Sequence, residues 1–277
     1  MKIGAALRQA HAALAEAGIE AAAREARLLM VQALALPDRA IPDREAATPE
    51  AFWPLLARRR AREPMALIRG RQGFWTLDLA VSGDTLIPRA DSEAVLRAAL
   101  RARPDRDAVR RVLDLGTGTG ALLLAALDEY PGAFGLGVDL SAPACALAAR
   151  NAAANRLASR AAWACGDWAR AVAGRFDLVL ANPPYIETAA LGGLMPEVAL
   201  HEPRRALDGG EDGLAAYRAI LADLPRLLAP EAVAVLELGQ GQVAGVAALA
   251  IAAGLVVADR ERDLGGIVRA IVLRPAG

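Results

Sequence analysis

Asn182, Pro183, Pro184 and Tyr185 follow the apolar run Phe176-Asp177-Leu178-Val179-Leu180-Ala181. A short, nearly continuous apolar run reads as a buried strand, and two successive prolines after it fix φ and remove two amide donors. Such a stiff turn aims a backbone carbonyl and the Asn182 side chain into the crevice beyond the strand. The Asn182 side-chain oxygen and the Pro183 carbonyl form a pair of acceptors. They suit a planar amino or amide NH2, which carries two N–H donors and a delocalised, weakly nucleophilic lone pair. Tyr185 can stack on that planar group and fix its approach. A second stretch, from Val112 through Asp114, Gly116, Thr117, Gly118, Thr119 and Gly120 to Ala121, reads as a strand, a glycine-rich turn and a helix. Its glycines permit unusual dihedrals and let a ligand approach the main chain closely. Gly116-x-Gly118-x-x-Ala121 satisfies the dinucleotide fingerprint. Asp139, at the end of the next strand and about 20 residues on, suits a ribose diol. The loop alone leaves the ligand open.

These residues must be carried by alternating strands and helices. After Pro104 the pattern predicts strands at 112–115, 135–138, 161–165, 176–181 and 233–238. A terminal hairpin of 255–258 and 268–273 turns at Gly265-Gly266. Ala- and Leu-rich helices lie between the early strands, so the expected fold is a doubly wound α/β domain with ligands at the carboxyl ends of its strands. The segment 238–258 carries no charge and is long enough to span a bilayer, but its glycines and glutamines favour a strand end, a helix and the next strand. Residues 1–72 are expected as a helical domain. Ile3, Leu7, Ala10 and Leu14, then Ala26, Leu29, Met30 and Ala33, recur at helical spacing, and Thr48-Pro49 predicts a helix start. A stretch of about 60 helical residues is small for independent stability and suits a recognition module on a larger domain. Residues 73–90 read as a β-hairpin or extended connector, with the second domain at 91–277.

Composition narrows the chemistry. The 277 residues hold 32 basic and 32 acidic side chains, so no net positive field draws the chain onto nucleic acid. Lys2 is the single lysine, and the arginine excess reads as coding bias. Two histidines, His11 and His201, and two cysteines, Cys145 and Cys165, argue against a metal centre or disulfide framework. The cysteines read as buried apolar fillers. Arg58, Arg59, Arg60 and Arg62 read first as a solvated helix face and second as a contact for an acidic or RNA-bound partner. No signal-peptide pattern is present, and the expected location is cytoplasmic.

Asp114-x-Gly116-x-Gly118-x-Gly120 resembles the first motif of S-adenosylmethionine-dependent methyltransferases. That resemblance implies S-adenosylmethionine as cofactor, with Gly116 to Gly120 against its methionine and ribose portion. It also implies Asp139 on the ribose, Asp167 accepting from the adenine amino group and Trp168 near the base. Asn182-Pro183-Pro184-Tyr185 is similar to the motif of amino- and amide-nitrogen methyltransferases. With Glu63-Pro64, Leu86-Ile87-Pro88-Arg89, Glu202-Pro203-Arg204, Leu236-Glu237-Leu238-Gly239 and Asp263-Leu264-Gly265-Gly266, the chain resembles the HemK/PrmC-type protein-glutamine N5-methyltransferases throughout its length. That family's acceptor is the glutamine of the Gly-Gly-Gln motif of class 1 peptide chain release factors. The resemblance implies that this amide sits on Asn182 to Tyr185 and that the helical domain helps to dock the release factor. Two positions depart from the family pattern. Ala90 stands where a proline is usual, which implies a less rigid connector with activity retained, and Val268 replaces an aspartate of a late loop. Rival readings are an adenine-N6 DNA methyltransferase, a ribosomal-protein glutamine methyltransferase, and a cofactor-binding module without catalysis. Direct nucleic-acid or membrane binding is not expected.

Overall fold

The computed structural model describes residues 1–276, and the chain divides into two compact units. The first comprises residues 1–70 together with 195–201. Its helices are α1 (Ile3–Glu16), α2 (Ala22–Ala33), α3 (Phe52–Arg60) and α4 (Met65–Arg69), joined by a later helix, α8 (Pro196–His201). Ile3, Ala6, Ala10 and Leu14 make the buried stripe of α1 and pack with Leu29 and Met30 of α2 and with Phe52 and Leu56 of α3. The stretch between α2 and α3 is not helical. Pro37, Pro42 and Pro49 interrupt it, and α3 starts at Phe52 after a turn in which the Phe52 amide donates to the Pro49 carbonyl at 3.1 Å. Thr48, expected as the helix cap, instead has a buried hydroxyl without a partner.

The arginine run is not the solvated face expected from its charge. Arg59 is 5% exposed and donates to Glu25 at 2.5 Å and to Glu197 of α8 at 3.0 Å. Arg62 donates to the other Glu197 oxygen at 2.6 Å and to the Ala17 and Gly18 carbonyls, while Arg58 pairs with Glu63. Burial is the largest single effect on Glu197 and would raise its carboxyl, but the guanidinium hydrogen bonds, a backbone hydrogen bond and the Arg62 charge together outweigh it and hold the group below the usual carboxylate range. In this unit the short helix 196–201 is thus fixed by ion pairs rather than by a broad apolar contact.

The second unit opens with a hairpin of β1 (Arg71–Phe74) and β2 (Leu77–Ala80), then α5 (Glu93–Ala102), which follows a single 3-10 turn at Ala90–Ser92. The alternating part follows: β3 (Arg111–Leu115), α6 (Ala121–Glu129), β4 (Phe134–Asp139), α7 (Ala142–Ala154), β5 (Ala161–Cys165) and β6 (Phe176–Ala181). After α8 come α9 (Ala215–Leu227), β7 (Leu228–Glu237), α10 (Val243–Ala252), β8 (Leu255–Arg262) and β9 (Val268–Pro275). Seven strands form one mixed sheet in the order β5-β4-β3-β6-β7-β9-β8. The pairs from β5 to β7 are parallel and the last two antiparallel. This is a doubly wound α/β fold with a terminal antiparallel hairpin.

Alternation along each strand explains the two cores. Val112, Leu178, Leu180, Val233 and Val235 face the side covered by α5 and α6. Leu113, Leu115, Val179, Ala181, Ala234 and Leu236 face the side covered by α9 and α10. The uncharged segment 238–258 is the loop after β7, then α10, then the start of β8, and no helix among the described residues is long and apolar enough to cross a membrane. The cysteines are not core fillers: Cys145, on α7, is half-buried, and Cys165 is exposed because β5 is an edge strand whose last residues face outward.

Candidate active site

Register brings the loops together. Leu115 pairs with both Val138 and Ala181, so Gly116, Asp139 and Asn182 leave three adjacent strands at one level. Asp139 pairs with Cys165, which places Gly166, Asp167 and Trp168 at the same edge. The chain passes from β3 outward to β5 and returns to β6 on the other side of β3, so these loops meet at the topological switch point where open α/β sheets form their crevice.

The glycine loop is held from beneath. The Gly116 and Thr117 amides both donate to the Val138 carbonyl, at 2.9 and 3.0 Å. The Thr117 hydroxyl donates to Asp114 at 2.6 Å, and the Gly118 amide to Asp139 at 2.8 Å. The other Asp139 oxygen accepts the Ser141 amide at 2.8 Å at the start of α7. Gly116 and Gly120 require their residue type: φ is +76° and +83°. An added Cβ would lie 3.2 Å from the Trp168 ring in the first case and 3.0 Å from the Trp163 ring in the second.

Around the loop lies a cavity with about 1030 Å³ of space, part of it open to solvent. Gly116, Thr117, Gly118, Thr119, Asp139, Asp167, Trp168 and Asn182, the residues singled out for a cofactor, line it. Gly120 does not; it begins α6 in the left-handed conformation and packs on Trp163 and Ala148. Sequence reasoning missed Thr85 and Arg205 on the wall and assigned no role to Asp114. Thr85 and Asp114 carry buried oxygens, Oγ1 and Oδ1, without partners. An unpaired buried polar atom costs about 1–3 kcal/mol, so both are poised for a ligand. Asp114 is wholly buried, and that burial pushes its carboxyl up to about 7, against the Thr117 hydrogen bond and with the Asp139 charge adding to the rise. The guanidinium of Arg205 donates to the Asp84 carbonyl at 2.7 Å and to the Ser141 hydroxyl at 3.1 Å, joining two segments of the cavity wall.

At the second candidate element, the Asn182 Nδ2 donates to Ser92 Oγ at 3.0 Å. Pro183 is buried, Pro184 lines the cavity, and Tyr185 lies deeper, its ring against the α9–α10 side of the core. The Tyr185 hydroxyl donates to Glu237 at 3.3 Å, and its carbonyl accepts Gln242 Nε2 at 2.9 Å. Burial, reinforced by the Glu237 charge, pushes the phenol up to about 12. The following backbone is clamped by 207–210: the Ile186 amide donates to Leu207, the Gly209 amide to Ile186 and the Thr188 amide to Gly210, all within 3.0 Å. Despite Ala90, the connector before α5 closes a turn, with the Ser92 amide donating to Arg89 at 3.1 Å. The late loop that has Val268 is closed by Asp263, which accepts the Ile267 amide and Arg269 Nε, each at 2.9 Å.

The cavity suits S-adenosylmethionine. Its wall offers an unpaired buried carboxyl oxygen for an ammonium and an unpaired hydroxyl for a carboxylate. Asp139 offers lone pairs for a diol, and an acid beside an aromatic ring, Asp167 and Trp168, completes the set.

Comparison with known proteins agrees with this arrangement. The family model "Methyltransferase small domain" matches residues 92–213, and "PrmC N-terminal domain" matches residues 5–70. The release factor glutamine methyltransferase of Rhodospirillum rubrum is 46% identical over 93% of this chain and 80% of its own length. That of Cereibacter sphaeroides is 44% identical over 99% of both chains. Among solved structures, a methyltransferase from Pyrococcus furiosus superposes with a TM-score of 0.54 at 18% identity, covering 72% of this chain and 89% of that one. The ribosomal protein L11 methylase of Lactobacillus delbrueckii gives 0.53 at 18% identity, covering 70% and 83%. These two share the fold alone. At 44% identity from end to end, the chain belongs to the release factor glutamine methyltransferase family.

Proposed function

We propose that this protein transfers a methyl group from S-adenosylmethionine to the side-chain amide nitrogen, N5, of the Gly-Gly-Gln glutamine of class 1 peptide chain release factors. The observation that carries the reading is the Asn182 amide. In the orientation that puts its NH2 on Ser92 Oγ, its oxygen is the atom left to meet a planar NH2 at the edge of the cofactor cavity. The named relatives supply the acceptor class.

In this reading Asp114 meets the ammonium of the methionine end, Asp139 the ribose hydroxyls, and Asp167 with Trp168 the adenine. When bound, the sulfonium supplies a methyl whose leaving group is a neutral thioether. Asn182 Oδ1 and the Pro183 carbonyl each accept one N–H of the glutamine amide and turn its nitrogen lone pair toward that methyl. Fixing two groups in this way lowers the barrier by several kcal/mol without an acid or base. The N–C bond would form as the C–S pair went to sulfur, and the surplus N–H proton would leave to solvent water. Tyr185 fixes the turn from below and offers one ring face to the amide plane. The helical domain helps to dock the release factor, and translation termination places the reaction in the cytoplasm. No recognition of nucleic acid is needed.

The test is transfer of labelled methyl from S-adenosylmethionine to a purified class 1 release factor, beside a version with the Gly-Gly-Gln glutamine replaced, duplex DNA and ribosomal proteins. Label confined to the intact release factor is the expected result. Label on DNA or a ribosomal protein alone overturns the acceptor.

A further inference from the structure

An amide side chain has two faces of opposite polarity, and the proposed reaction works with only one of them. If Asn182 presented its NH2 to the cavity, donor would meet donor. Its Nδ2 contact to Ser92 does not settle this by itself, because a serine hydroxyl accepts or donates equally well. Something must fix the direction of the Ser92 hydroxyl.

Glu237 sits where it can do so. It is the one ionisable residue in the run 232–238 and is 2% exposed. Ala181 pairs with Leu236, so Glu237 ends β7 level with Asn182. By strand alternation it shares the sheet face of Val233 and Val235, the face covered by α5, and Ser92 immediately precedes α5. Ser92 is itself 5% exposed and stands close enough to the Glu237 carboxylate to favour its ionised form. One Glu237 oxygen accepts the Tyr185 hydroxyl, and the other is buried with no hydrogen-bond partner.

We propose that Glu237 and Ser92 are positioning residues that set the polarity of Asn182. The acceptor-only carboxylate takes the single Ser92 proton, Ser92 Oγ is left only to accept, Asn182 must turn its NH2 toward it, and Asn182 Oδ1 is directed to the glutamine amide. The same carboxylate takes the Tyr185 hydroxyl, so one buried acid orients both side chains of the substrate turn. The inference rests on the function proposed above and adds two residues to which that mechanism gives no part, Ser92 on the cavity wall and Glu237 outside its lining.

Protonation reverses the logic. A neutral Glu237 has a proton of its own to donate to Ser92, and Ser92 then donates to Asn182 Oδ1 and turns the amide over. The groups facing Glu237 are Tyr185 of the substrate turn, Ser92, Arg89 of the connector and Arg269 of β9. Tyr217 of α9 donates to its backbone carbonyl at 2.7 Å. Burial outweighs the hydroxyls and the two arginines and pushes the carboxyl up to about 7, so the polarity is set within the physiological range.

The test uses the full-length enzyme, S-adenosylmethionine and a purified release factor. Ser92→Ala is expected to lower kcat on the order of tenfold to a hundredfold, with KM for the release factor and cofactor Kd within about twofold of the parent. Ser92→Thr keeps the hydroxyl and is expected to recover most of the loss. Glu237→Gln, nearly isosteric, donates or accepts with equal ease. It is expected to lower kcat and to remove the rise of kcat with pH around 7 that is expected of the parent. An unchanged kcat in Ser92→Ala, a Ser92→Thr as poor as Ser92→Ala, or a pH limb that survives Glu237→Gln each overturns the inference. A parent enzyme inactive on release factors but active on another acceptor overturns the proposed function instead, and the same variants then report on Asn182 polarity with that acceptor.

Discussion

Cofactor affinity should depend on pH through Asp114, and the structure sets both sign and size. In the free protein the Asp114 carboxyl is fully buried and titrates near 7 because burial disfavours its charge. An ammonium placed against its unpaired Oδ1 reverses that and draws the bound-state value back toward the ordinary range. Binding then releases a proton wherever the free carboxyl is still protonated. Affinity should rise as pH climbs toward 7 and level off above it, by about 25-fold between pH 5.5 and 7.5, over which the cofactor's own ammonium stays largely charged. Isothermal titration calorimetry at those two pH values gives the ratio. Repeating the acid measurement in buffers of different ionisation enthalpy counts the released proton. Asp114→Asn should bind more weakly at pH 7.5 and lose the slope. A parent affinity flat within twofold, or a slope that persists in Asp114→Asn, would refute the assignment of Asp114 to the ammonium.

Three further outcomes follow from the same geometry. Asn182→Ala should lower methyl transfer at least 100-fold, since both the acceptor and the orientation it enforces are lost, while cofactor Kd by titration stays within about threefold. Gly120→Ala forces a side chain into a left-handed position 3.0 Å from Trp163 and should cost about 1–3 kcal/mol in denaturant unfolding, with weakened cofactor binding. Glu237 stays neutral in the folded protein up to about 7, whereas the unfolded chain ionises it near 4.5, so stability falls as pH rises through that window. Glu237→Gln should therefore gain on the parent by up to about 3 kcal/mol between pH 4.5 and pH 8, read from unfolding at both values.

What could be read directly from the residues was local. The runs at 112–115 and 176–181 are short, apolar and bounded by glycines or prolines, so both strands and both loops declare themselves without knowledge of their neighbours. Asp139 and Asp167 are legible for the same reason, each at a strand end. The arginine run was misread because a paired and an unpaired charge look alike in a sequence. Arg59 is buried only because Glu25 and Glu197 reach it, and Glu197 stands 138 residues away. The membership of 195–201 in the helical unit is hidden by the same distance. Thr48 misled through a real local preference, overridden when the prolines carried the chain past it before α3 began.

Ser92 and Glu237 are a different case, because each sits in plain view in a segment whose strand or helix is easily assigned. Their joint meaning depends on β7 lying beside β6 with Leu236 opposite Ala181, and on α5 covering the face to which Glu237 points. Neither fact has a period or a spacing. The one signal available is energetic: an acid within an apolar run, such as Glu237 between Leu236 and Leu238, faces a desolvation cost of several kcal/mol that a structural role alone could avoid with another apolar residue. An ionisable group kept at such a place argues for a task that needs an acceptor without a proton, and beside the Tyr185 hydroxyl that it already holds, the hydroxyl that holds Asn182 is a group in want of one.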